Sequence, residues 1–231
     1  GAVLLLIAIG LLSLFSLSEV SAAPFFSRQL IWAGIGLLLL VIASKIDFRL
    51  FRTQGFLIFL LYLLAVLLLI IVLLVSHRIR GIEGWLQIGG FSLQPVEFAK
   101  LVLVILLAKF FSKRHIEIYR AEHLFVSGLY AALPAGLVLL QPDLGSAIIL
   151  ISIWFAVVLF SGMKIRHLII LLLLAAIVFG AAWQWGLAPY QKARITGFLN
   201  PYADPQGAGY QMIQSMIAVG SGGVGGKGLG Y

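Results

Sequence analysis

The sequence contains no cysteine, which excludes disulfide bonds and thiolate metal sites and leaves the redox compartment open. Charge is nearly as scarce. Only 10% of the 231 residues are charged and eight are acidic, too few to solvate the surface of a soluble domain. The first apolar run, Ala2 to Leu17, also lacks the basic segment that opens a secretory signal. What fills the chain is hydrocarbon: 62% of the residues are hydrophobic and the mean hydropathy is +1.11, values that identify a polytopic membrane protein. The net charge of +8 does not indicate a nucleic-acid partner. The cations are dispersed between apolar runs instead of gathered on one face, as they are when they record topology and contact with anionic lipid head groups.

The apolar runs divide the chain into seven expected spans, at 2–17, 30–43, 56–75, 96–111, 124–140, 146–160 and 165–185. Each is expected to be a helix, because a helix satisfies its backbone polar groups internally where no water is present. The expected fold class is therefore all-α, a transmembrane helical bundle over 1–189, followed at 190–231 by the start of a large extracytoplasmic loop. That last stretch is rich in Gly, Pro, Gln and Tyr, and no core can be built from it alone. Lys45, Arg49 and Arg52, then Lys113, Arg114 and Arg120, then Lys164 and Arg166 occupy alternate short loops. The bias of cations toward the cytoplasm places those loops and the amino terminus inside, in the cytoplasmic membrane, and the remaining loops outside.

The outward loops carry the residues of chemical interest. In RGIEGWLQIGGFSLQPVEFAK the glycines allow tight turns, Trp85 suits the membrane interface, and Pro95 suits the first turn of the fourth helix. Glu97 and Lys100 are three residues apart and share a helical face, either as a local ion pair or as the lining of a hydrophilic cavity. In QPDLGS, Asp143 either caps the sixth helix or partners a cation, Lys100 first and Lys192 or Arg194 next. The glycines from Gly220 to Gly230 permit close approach to a phosphate or sugar, or serve as a flexible turn. Met212 to Val219 reads as a short amphipathic helix.

Three stretches, GWLQIGGFSLQPVEFAK, QPDLGSA and FLNPYADPQGAGYQMIQSMIAVGSGGVGGKGLG, together resemble the SEDS family (shape, elongation, division and sporulation), to which RodA, FtsW and SpoVE belong. The GSGGVGGKGLG run, with Lys227, is closer to the RodA branch. Two positions depart from the family pattern: Val96 stands where Ser is common, and Gly84 precedes Trp85 where a basic residue is frequent. The family has about ten spans, so the chain resembles a fragment lacking the C-terminal part. The family's catalytic Asp, in a Thr-Asp-Phe motif, falls beyond residue 231, and the fragment by itself is expected to be inactive.

The resemblance implies a peptidoglycan glycosyltransferase that polymerises lipid II, the disaccharide-pentapeptide on undecaprenyl pyrophosphate. Such chemistry needs a carboxylate base and positive charge near the departing pyrophosphate. Arg78, Arg80, Lys100, Lys192, Arg194 and Lys227 are the expected cations, and Gln214 joins the substrate-binding set. Asp143 and Glu97 are expected as supports that position cations or a divalent metal, Mg2+ or Mn2+, and not as the base. No cofactor is identified. The implied partners are lipid II, a class B penicillin-binding protein transpeptidase and membrane lipid. A lipid II flippase and a non-catalytic scaffold for a transpeptidase are the alternatives.

Overall fold

The computed structural model describes residues 1–21, 25–47, 49, 53–75, 84–88, 91–112, 121–223, 225–226 and 228. Long helices coincide with every expected span: α1 Ala2–Ser21, α2 Phe25–Ser44, α3 Gly55–Val75, α4 Pro95–Ser112, α5 Ala121–Leu140, α6 Leu144–Phe160 and α7 Ile165–Ala181, which runs on as a π-helical turn, Ala182–Gly186. Phe25–Ser44, Gly55–Val75, Glu122–Leu140 and Ile165–Gly186 are by themselves long and apolar enough to cross a membrane. Ala2–Ser16 and Leu144–Phe160 are apolar but shorter. The α4 helix is continuous but carries three charged residues, Glu97, Lys100 and Lys109. The protein is a multi-pass helical membrane protein.

The chain forms two compact units, 48–187 and a second made of 1–47 with 188–231. In the first, α3, α4, α5 and α6 pack on one another. The α3 helix turns Ile58, Tyr62, Ala65, Leu69 and Val72 inward, at alternating offsets of four and three that keep one stripe facing the core. It meets Val102, Leu103, Leu106 and Leu107 of α4. Lipid tails are as apolar as leucine, so close van der Waals packing must hold the helices together, and small residues permit it. Ala65, Ala99, Ala131, Ala135 and Ala147 are all buried. Two polar contacts add direction: the Tyr62 hydroxyl donates to the Tyr130 carbonyl at 3.0 Å, and Trp154 Nε1 donates to Ser127 Oγ at 3.0 Å.

Between α3 and α4 the structure adds a feature that the span pattern does not announce. Strands β1 Leu86–Ile88 and β2 Phe91–Leu93 pair antiparallel, with Leu86 opposite Leu93 and Ile88 opposite Phe91. Residues 89 and 90, both glycine, lie outside the described residues. The strand pair leads directly to Gln94 and the start of α4.

In the second unit, α1 and α2 pack together, with Phe15 edge-on to Phe26 at 5.4 Å between ring centroids. The segment read as a polar loop contains α8 Pro189–Leu199, a 3-10 turn Pro201–Ala203 and α9 Tyr210–Gly222. The expected helix at 212–219 is the centre of α9; α8 has no counterpart in the sequence reading. Its start is nonetheless locally encoded, since Pro189 occupies the first turn and Gln191 Oε1 accepts from the Ala188 N–H at 2.9 Å.

Candidate functional site

The polar groups of the 48–187 unit converge where α4 and α6 begin. Pro95 opens α4, as its missing N–H allows, and the Glu97 N–H donates to the Gln94 carbonyl at 3.1 Å. Asp143 caps α6: its Oδ1 accepts from the Ser146 N–H at 3.0 Å, satisfying one of the donors a helix start leaves open. The side chain of Gln94 bridges the two helix starts, with Nε2 donating to Asp143 Oδ2 at 3.4 Å. Gln141, 2% exposed, donates from Nε2 to the Leu69 carbonyl at 2.9 Å, tying the loop to α3. Asp143 itself is 8% exposed.

Lys100 does not partner Asp143 as expected. Its Nζ lies 2.7 Å from Glu97 Oε1, the local pair three residues away on the same helix. Among the described residues Asp143 has no ion pair. The reason is local geometry: the helix holds Glu97 within reach of Lys100 without any tertiary requirement, whereas Asp143 finds its donors in a backbone N–H and an uncharged amide. The Lys100 side chain is 16% exposed and that of Glu97 62%. A pair with one half so open contributes little stability, so its value lies in holding the ammonium at the start of α4. Val96, next to it, is buried in the core, so the hydroxyl that the family pattern would put there is replaced by packing.

The remaining expected site residues lie in the other unit or outside the described residues. Lys192 is half-buried on α8, Arg194 is exposed with its guanidinium 5.8 Å from the Tyr190 ring centroid, and Gln214 is exposed on α9. Arg78, Arg80 and Lys227 lie outside the described residues. Among the described residues no three His, Cys, Asp or Glu side chains come together as a metal site requires. The carboxylate oxygens of Asp143 are engaged by Ser146 and Gln94, and Glu97 is engaged by Lys100.

Three polar residues escaped the sequence reading. Gln94 and Gln141 had a visible signal, because Leu-Gln-Pro occurs twice, at 93–95 and 140–142, each time at the entry to a helix. Asp204 is the third. Its carboxylate accepts from the N–H groups of Gly207 and Ala208, both at 3.0 Å, and organises the turn between α8 and α9.

The family model described as "Cell cycle protein" (FtsW/RodA/SpoVE) matches residues 1–231. The chain belongs to this family. Stage V sporulation protein E of Bacillus subtilis is 37% identical to this family member, over 98% of this chain and 63% of its own length. The probable peptidoglycan glycosyltransferase FtsW of Coxiella burnetii is 35% identical, over 97% of this chain and 62% of its own. Among solved structures, a chain from a peptidoglycan synthase complex that coordinates polymerization and crosslinking superposes with a TM-score of 0.75 at 37% identity, over 97% of this chain and 66% of that one. The rod shape-determining protein RodA of Thermus thermophilus superposes with a TM-score of 0.62 at 32% identity, over 77% of this chain and 58% of that one. This FtsW/RodA/SpoVE member thus spans less than two thirds of the length of these curated relatives.

Proposed function

We propose that the protein is a peptidoglycan glycosyltransferase that polymerises lipid II in the cytoplasmic membrane, in elongation or division. The observation that carries this reading is the polar corner of Gln94, Glu97, Lys100 and Asp143 at one end of an apolar bundle. It occurs in a chain 35% identical over 97% of its length to a probable peptidoglycan glycosyltransferase. In the proposed reaction a sugar hydroxyl of the acceptor attacks the anomeric carbon of the growing chain, and the undecaprenyl pyrophosphate leaves. The lysine and arginine residues named above stabilise the charge that develops on that leaving group. Lys100, oriented by Glu97, is the best placed of them among the described residues. Asp143 and Gln94 keep the starts of α4 and α6 in register, the buried Asp143 carboxylate adds the negative charge on which the corner's electrostatics depend, and no step is routed through a metal. A class B penicillin-binding protein is the proposed partner, by analogy with the synthase complex.

A flippase is less well supported. It would need polar groups along its path, whereas α6 carries no charged side chain and those of α4 and α5, Glu97, Lys100, Lys109 and Glu122, lie toward the helix ends. The test of the polymerase is direct. Protein purified from its own membranes with whatever sequence accompanies residues 1–231 there, supplied with lipid II and free of other polymerases, is expected to form glycan strands resolvable on a gel. Only unreacted lipid II would overturn the reading.

The proposed orientation has its own test. A reporter fused after Arg120 is expected to be cytoplasmic, and one fused after Tyr202 extracytoplasmic. The same side for both would mean that the span count between them is wrong.

A further inference from the structure

Within the 48–187 unit, α5, α6 and α7 border a cleft of about 510 Å³. The first of these contributes Leu124, Gly128 and Ala132, the second Trp154, and the third His167 and Leu171. This wall is almost wholly hydrocarbon. The indole N–H of Trp154 is already donated to Ser127, which leaves His167 as the polar element. Its Nδ1 is shut off from solvent and has no hydrogen-bond partner among the described residues. Covered in this way it is out of a ligand's reach, so the cleft itself offers hydrocarbon contact alone.

Two cations stand next to the cleft. Lys164 precedes His167 by three residues and Leu171 by seven, and Arg166 precedes Ile170, another lining residue, by four. Lys164, the residue before the helix, and Arg166 point to different sides of the helix start and flank the lining residues from either side. The α7 helix also begins at Lys164 without a side-chain cap, so its first N–H groups and its dipole favour an anion there. A soluble anion has no use for a hydrocarbon trough, and a neutral lipid has none for the cations. An anionic lipid uses both.

We propose that this cleft holds one acyl chain of an anionic diacyl phospholipid, its phosphate bound by Lys164 and Arg166. The site is independent of the polymerase reading, and its test measures no polymerisation. The purified protein is equilibrated with phosphatidylglycerol and phosphatidylcholine of identical acyl chains, and retained lipid is counted by native mass spectrometry. Preferential retention of phosphatidylglycerol is expected, by roughly fivefold for each cation, the equivalent of about 1 kcal/mol. Lys164→Gln with Arg166→Gln should bring the ratio toward unity. Ala132→Phe, which fills the trough and alters no charge, should lower retention of both lipids, and it keeps the test decisive if the double variant fails to insert. Equal retention by the unaltered protein overturns the proposal, as does a preference that survives the double variant. Displacement of phosphatidylglycerol by a polyprenyl phosphate at equal mole fraction overturns it as well.

Discussion

Asp143→Asn is expected to lower glycan polymerisation by roughly 10- to 100-fold while leaving the protein folded and inserted, a loss on the scale of removing one electrostatic group from an active site. The geometry makes this substitution informative. Asn retains a side-chain oxygen to accept from the Ser146 N–H, and the Gln94 amide, turned over, offers its own oxygen to the new NH2 group. The cap and the bridge between the helix starts both survive, so the change removes charge and little else. Asp143→Ala removes the cap as well, at a cost of about 0.5–2 kcal/mol. Measured on lipid II at equal protein level, the Asn variant should therefore match the Ala variant in activity but exceed it in thermal stability. Full activity in the Asn variant would reduce Asp143 to a helix cap.

A second large effect is expected at Gly209. Its φ of −83° is open to any residue, so the glycine is required for space and not for its dihedral freedom. A Cβ there would overlap the Pro201 carbonyl oxygen and come within 2.9 Å of the Asp204 carbonyl oxygen. Both obstacles are backbone, fixed by the turn that Asp204 organises, with the Gly209 N–H donating to the Asp204 carbonyl at 3.0 Å. They cannot rotate away as a side chain would. Gly209→Ala should cost upward of about 2 kcal/mol locally and expose the connection between Leu199 and Tyr210 to proteases. Gly220→Ala supplies the contrast: that residue lies within α9 with nothing within 4 Å of its would-be Cβ. There the change should add about 0.5–1 kcal/mol of helix stability. Equal cleavage rates in the two variants would mean that the turn is not packed as described.

The seven long helices were legible because the rule that produces them is local. A run of Leu, Ile, Val and Phe without charge must satisfy its backbone groups within itself, and polar residues end it; no knowledge of neighbours is needed. The same holds for Pro95 at the start of α4 and for the cap by Asp143, each of which depends on a few adjacent residues. The α8 helix was less legible, since Pro189–Leu199 mixes Tyr, Gln, Lys, Arg and Thr and offers no apolar run to count.

What the sequence by itself determined is therefore the membrane class, the places of the long helices and, through its motifs, the family. The tertiary structure alone decided the partners of the polar groups. Asp143 is met by Gln94, 49 positions away in sequence, which leaves Lys100 to Glu97 on its own helix. Gln141 reaches Leu69 across 72 positions, and the cleft at His167 exists only because three helices border it. Hydropathy is a property of each residue and can be summed along a chain. A hydrogen bond between distant residues depends on distance and direction after folding, and neither is written in composition or spacing.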